Sequence, residues 1–335
     1  MAYLRVRGEG GTLFPKDRCV VSFDGTHLAY TIKGTSGPVV ALCAGFCCPD
    51  NFWRYIAPAL AKKYRVLIWN YRGMGVSGMP REPGYRARHY SVEDFTVDRY
   101  ARDLKAILDH EGIEDVILLG HSMGTQVALE TYRIIPNRVL ALVSITGPFA
   151  SAIQTLYNTT IAPRLLPVGI FLARGVARPA WRAMFRSPIT HPLAIQFGAL
   201  GPKTKKEDMQ PYYEHLAELD PQMILKAAQA MHAHSAEDLL RKVKVPTLVI
   251  VGERDNFVPS WVGHVMASRI PVAEMLVVPG GTHGTIVEEP KLVNKTVLDF
   301  LDRHLGEGRQ TVSLVERRAR NTRAKRLAKG TKAEQ

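Results

Sequence analysis

No stretch of this 335-residue chain approaches the ~20 uninterrupted apolar residues of a membrane-spanning helix. Cysteine is scarce, with only Cys19, Cys43, Cys47 and Cys48. Three of the four share one short stretch, and adjacent Cys47 and Cys48 are badly placed to bridge each other, which argues against a disulfide framework. No partner cluster with ligand spacing accompanies them, so no metal is expected. They read instead as small packed thiols, in keeping with a reducing compartment. Met1 to Arg18 is polar and glycine-rich and contains no apolar run, so the expectation is a cytoplasmic protein without a secretory signal.

Acidic residues are also in short supply. Lys and Arg number 44 against 31 Asp and Glu, a formal net charge of +13. Residues 307–335 supply +6 of that, with nine basic and three acidic side chains. This segment is poor in apolar residues and reads as a disordered basic tail. It is either a solubilising extension or an electrostatic arm with weak affinity for anionic lipid or nucleic acid. No specific protein partner is implied.

What is present centres on Gly120-His121-Ser122-Met123-Gly124. The preceding Val116-Ile117-Leu118-Leu119 reads as a buried strand, and Thr125 to Tyr132 as a helix. A serine at a sharp strand-to-helix turn is pushed outward over a helix N-terminus. The pentapeptide alone occurs in many unrelated chains, so its partners decide the reading. A serine hydroxyl needs a histidine base, and the histidine needs a carboxylate that fixes its tautomer.

Both occur downstream. The strand-like Pro246-Thr247-Leu248-Val249-Ile250-Val251 leads into Gly252-Glu253-Arg254-Asp255. The strand-like Glu274-Met275-Leu276-Val277-Val278 leads into Pro279-Gly280-Gly281-Thr282-His283-Gly284. Ser122, Asp255 and His283 therefore each follow a strand end. Among the other histidines, His264 and His304 fall on predicted helices, and His121 is expected to pack beneath the serine turn.

These stretches resemble the α/β-hydrolase superfamily, in its lid-bearing group of esterases, lactonases, carbon–carbon bond hydrolases and cofactor-free haloperoxidases. The resemblance spans residues 19–305. It includes Phe23 to Tyr30 as an opening hairpin, Asn70 to Ser77 as an Arg-Gly-x-Gly-x-Ser loop, and Tyr100 to Leu104 on the helix before the serine strand. In the family's Gly-x-x-Asp pattern the later acid is catalytic, which favours Asp255 over Glu253. Some relatives carry the acid after an earlier strand, but Val143 to Gly147 holds no carboxylate here. A serine at the turn argues against dehalogenases and epoxide hydrolases of similar fold, which use aspartate there.

The resemblance implies an oxyanion hole made by the backbone amides of Phe46 and Met123. The loop departs from the family's usual His-Gly, since Ala44 stands where the histidine would brace it.

Apolar strands alternate with helical stretches over residues 20–145 and 246–303, as in a mostly parallel central sheet with helices on both faces. Helices are expected near residues 51–62, 94–111, 123–135, 260–270 and 290–304. Residues 147–236 break the alternation with proline-separated apolar pieces and read as a helical lid insertion. The expected organisation is an extension at 1–18, a core of 19–146 and 237–306, the lid at 147–236 and the tail at 307–335.

The expected activity is hydrolysis of a carboxylic ester or related acyl compound with a hydrophobic portion, without cofactor. Carbon–carbon bond hydrolysis, lactone opening, acyl transfer and perhydrolysis use the same triad and stay open. A non-enzymatic ligand receptor on the same fold is the alternative of another class.

Overall fold

The computed structural model describes residues 12–79, 90–151, 178–196, 198 and 200–306. The expected basic tail and part of the expected lid lie outside them. No helix among the described residues is long and apolar enough to cross a membrane.

Eight strands form one sheet: β1 (Arg18–Val21), β2 (His27–Lys33), β3 (Val39–Cys43), β4 (Arg65–Trp69), β5 (Val116–His121), β6 (Val139–Ile145), β7 (Thr247–Gly252) and β8 (Ala273–Val278). Their spatial order is β1-β2-β4-β3-β5-β6-β7-β8. β2 runs antiparallel to both β1 and β4, and every other pairing is parallel. Every residue of β3, β5, β6 and β7 is buried. That burial explains why these strands read as continuous apolar runs rather than as alternating patterns.

Helices α1 (Ile56–Leu60), α2 (Val97–His110), α3 (Met123–Ile134), α8 (Ser260–Arg269), α9 (Thr285–Glu288) and α10 (Pro290–Leu305) follow the core strands. Four more lie between β6 and β7: α4 (Arg178–Arg186), α5 (Thr190–Gln196), α6 (Lys206–Glu218) and α7 (Pro221–Ala233). α2 packs on α3, and α1 on α10.

The expected helix at 51–62 is broken into a 3₁₀ turn at Asn51–Trp53 and the short α1. Pro58 accounts for the break. In a continuous helix it would lack the N–H bond to residue 54, and its ring would strike that carbonyl. Within the first turn of α1 it costs nothing.

One buried ionic cluster joins three of the stretches that carry the family resemblance. The Arg72 guanidinium has no exposed surface. Its Nε and Nη2 donate to the Asp103 carboxylate at 2.7 and 2.6 Å, and Nη1 donates to Asp24 at 2.6 Å. Hairpin, loop and helix are thereby fixed to one another. These are charge-assisted bonds in a low-dielectric setting, where an unmatched partner would be costly.

Candidate active site

The site is assembled at the C-terminal ends of β3, β5, β7 and β8, where parallel α/β sheets expose their loops. Ser122 joins β5 to α3 with φ of 53° and ψ of −127°. A non-glycine residue with positive φ is strained, and the strain persists because its neighbours over-determine it. Ser122 N–H donates to Ile145 O at 3.0 Å, and its carbonyl accepts from Thr125 N–H at 2.9 Å. Gly124 makes the turn possible, since an added Cβ would lie 1.8 Å from Cys43 O.

Three side chains meet above this turn. Ser122 Oγ lies 2.8 Å from His283 Nε2, and His283 Nδ1 lies 2.9 Å from Asp255 Oδ2. The Asp255 side chain is fully enclosed, whereas that of His283 keeps some exposure. Asp255 Oδ1 accepts from the amides of Phe257 and Val258 at 2.8 and 2.9 Å, so the carboxylate is oriented from both sides. With Nδ1–H donating to Asp255, Nε2 is left to accept the serine hydroxyl. Glu253, the neighbouring acid, turns away and accepts from Gly280 N–H at 2.7 Å.

His121 lies beneath the turn and is stacked on Phe52 at 4.5 Å. Its Nε2–H donates to His283 O at 3.2 Å, and Thr146 Oγ1 donates to the same carbonyl at 3.2 Å. The backbone of His283 is therefore fastened to the ends of β5 and β6. Burial, helped by the adjacent His283, pushes the His121 imidazole down to about 3. It stays neutral and serves as a strut. His215 on α6 is held down near 4 by the same desolvation.

These two histidines make acid lability an expected property. In the unfolded chain each titrates near 6.5, so above that pH neither contributes to the pH dependence. Between about 6.5 and their depressed folded values, the unfolded chain binds protons that the folded chain refuses. Stability therefore falls as pH falls, by about 2 kcal/mol per histidine at pH 5. Urea midpoints at pH 7 and pH 5 should show a drop, and the drop should be smaller in His215→Phe. An identical drop in that variant would mean that His215 is accommodated when charged.

The loop after β3 reaches the serine, since an added Cβ on Gly45 would lie 3.3 Å from Ser122 Cβ. It carries Phe46, while Met123 opens α3 immediately after the serine. Cys43, Cys47 and Cys48 are buried free thiols around it, each with its pKa raised by desolvation. No cluster of side chains suited to a metal ion occurs among the described residues.

The loop is braced by groups that sequence reasoning missed. Tyr71 Oη donates to Ala44 O at 2.9 Å. Asp50, which closes the loop, accepts from Leu13 N–H at 2.7 Å, Phe14 N–H at 3.0 Å and Lys16 Nζ at 2.7 Å. The Lys16 and Asp50 side chains are essentially unexposed. The segment just before β1 is thus built into the loop and does not hang free. Removing one partner of a buried ion pair costs about 3–5 kcal/mol. Lys16→Met should lower unfolding free energy by that order in urea titration; unchanged stability would show that the pair is energetically idle.

The sequence model for the alpha/beta hydrolase family matches residues 40–296, spanning every strand that holds this site. The chain belongs to the alpha/beta hydrolase family. It is 27% identical over 279 residues to a protein from Azorhizobium caulinodans named as a candidate carbamate hydrolase, RutD; the match covers 82% of this chain and 94% of that one. It is 26% identical to a non-heme haloperoxidase from Rhodococcus erythropolis, over 84% of this chain and 98% of the relative. The crystal structure of the esterase RhEst1 from Rhodococcus sp. ECU1013 superposes with a TM-score of 0.66 at 25% identity, covering 86% of this chain and 98% of the esterase. As an alpha/beta hydrolase, the chain has the mostly parallel sheet and covering helices expected from its sequence, and the sheet holds eight strands.

A cavity of about 810 Å³ opens between α4, α6 and the loop after β4, with Gly73, Tyr90, Arg182, His215 and Met223 among its walls. Ser122, Asp255 and His283 do not line it. It is a polar cleft apart from the three-residue cluster.

Proposed function

We propose that the protein is a serine hydrolase that cleaves a carboxylic ester or related acyl compound with a hydrophobic portion. The observation that carries this reading is the unbroken line from Ser122 Oγ through His283 to Asp255, with both hydrogen bonds under 3.0 Å. Ser122 attacks the substrate carbonyl carbon while His283 Nε2 takes its proton. Asp255 holds the imidazole in the productive tautomer and stabilises the imidazolium. The amides of Phe46 and Met123 receive the negative oxygen of the tetrahedral intermediate, each worth about 3 kcal/mol of barrier. His283 then returns its proton to the leaving alcohol, which leaves an acyl-serine. Water gives a proton to His283 as it attacks this ester, and His283 passes that proton to the serine oxygen as the acid leaves, which restores Ser122. No metal or organic cofactor enters these steps.

Helices α4 to α7 are proposed as the described part of a lid that limits water and shapes an apolar acyl pocket. The similarity to the candidate carbamate hydrolase favours one second reading, in which the same residues open a carbamate carbonyl. A fluorophosphonate probe should label Ser122. Panels of p-nitrophenyl esters of rising chain length and of p-nitrophenyl carbamates should separate the two readings. Absence of labelling would remove both.

A further inference from the structure

Glu288 occupies an unusual place for a carboxylate that takes no part in the three-residue cluster. It ends the short helix α9, five residues after His283. Its Oε2 accepts from Thr282 N–H at 3.0 Å, and its Oε1 accepts from Thr282 Oγ1 at 2.5 Å. Oε1 also accepts from Thr204 Oγ1 at 2.7 Å and from Gly201 N–H at 2.9 Å. Two of these four donors belong to the residue directly before the base. The other two belong to the segment between α5 and α6, more than 80 positions away in sequence. The fit leaves no slack, since a Cβ on Gly201 would come to 2.9 Å from both Glu288 Oε1 and Thr282 Cγ2. The same insertion segment touches the acid loop as well, because a Cβ on Gly198 would lie 2.5 Å from Asn256 Nδ2. A second tie runs alongside, with Lys203 paired to Glu289 at 2.5 Å. That pair is exposed on its lysine side and contributes little by itself.

We infer that Glu288 is a positioning residue that couples the insertion to the base: its carboxylate is fixed from the insertion side by Gly201 N–H and Thr204 Oγ1–H and in turn holds Thr282, the residue before His283. The inference rests on the serine-hydrolase reading. A carboxylate ion is suited to this junction because it is acceptor-only and can take four donors on two oxygens. Neither an amide nor a hydroxyl can do so. When the insertion lifts, Oε1 loses Gly201 N–H and Thr204 Oγ1–H, and the carboxylate that receives Thr282 N–H and Oγ1–H is then itself fixed by fewer partners. His283 Nε2 is consequently aligned on Ser122 most firmly when the insertion is seated. Substrate closure and base alignment become one event, which restrains the serine from attacking water-borne electrophiles while the site is open.

The test uses the full-length protein and three variants. Glu288→Gln keeps the size of the side chain but replaces one acceptor oxygen with a donor, so at least one bond is lost. Thr204→Val removes only the hydroxyl on the insertion side and leaves both Thr282 bonds in place. Thr204→Ser returns that hydroxyl. For p-nitrophenyl ester hydrolysis, Glu288→Gln should lower kcat by about 10–100-fold, the scale of a misplaced catalytic group. Thr204→Val should lower kcat several-fold with KM within about twofold of wild type, and Thr204→Ser should recover most of the loss. The rate of Ser122 labelling by a fluorophosphonate should fall in the same order, because it reports activation of the serine by His283. An unchanged kcat in Glu288→Gln or Thr204→Val overturns the coupling, as does an effect confined to KM, or a Thr204→Ser variant no better than valine. Wild type that labels at Ser122 while the variants label just as fast leaves the triad standing and removes the coupling. A wild type that never labels removes the serine-hydrolase reading and the coupling together.

Discussion

Replacing Ser122 or His283 with alanine is expected to lower ester turnover by about 10⁴-fold or more while leaving the protein folded. The two side chains meet through one 2.8 Å bond, and on the serine-hydrolase reading neither acts without the other. The double variant should therefore lose little beyond either single one, because residues acting as a unit are far from additive. Ser122→Ala keeps a side chain that needs the same positive φ, so its backbone strain is nearly unchanged. Circular dichroism and a urea midpoint would confirm the fold, and initial rates on a p-nitrophenyl ester would give the loss. Retention of most of the rate in Ser122→Ala would mean that the chemistry occurs elsewhere, the cleft beside α6 being the next place to look.

The second large effect belongs to Asp255→Asn, expected to cost on the order of 10⁴-fold in kcat. Asp255 Oδ1 takes two backbone amides and Oδ2 takes the imidazole N–H. An asparagine will keep its carbonyl oxygen on the two amides, since turning it would set its NH₂ against both. Its NH₂ then faces His283 Nδ1 and selects the tautomer with the proton on Nε2. A proton there blocks acceptance of the serine hydroxyl and leaves the imidazolium without a counter-charge. The outcome is read as a collapse of kcat with the fold and substrate affinity kept. Turnover close to wild type would assign the orienting role to another carboxylate, and Glu253 is the nearest in sequence.

The parts of this site that could be read in the sequence share one property: each is a short loop attached to a buried strand. Ser122, Asp255 and His283 announce themselves because an apolar run of four to six residues precedes each and glycines flank the turn. The doubly wound sheet was legible for the same reason. The bracing was not. Lys16 and Asp50 are 34 positions apart, and Glu288 meets Gly201 across 87. No local pattern distinguishes a lysine that will be enclosed from one that stays in water. The Arg72 cluster was half visible, because its three contributing stretches were recognised separately but not the charge that unites them. The break at Pro58 was legible in principle, since a proline outside a helix's first turn rarely continues it. The helix expected at 51–62 ran through it all the same.

The separation of 161 positions between Ser122 and His283 has a consequence for how the protein comes into being. Ser122 and the sheet's first strands leave the ribosome long before His283 does. Throughout that interval the nascent chain carries Ser122 without the His283 imidazole that its hydroxyl meets in the folded protein. On the serine-hydrolase reading, Ser122 gains its base only when the final strand, the His283 loop and the helix that closes behind it have all emerged, and by then the segment that donates to Glu288 has already been made.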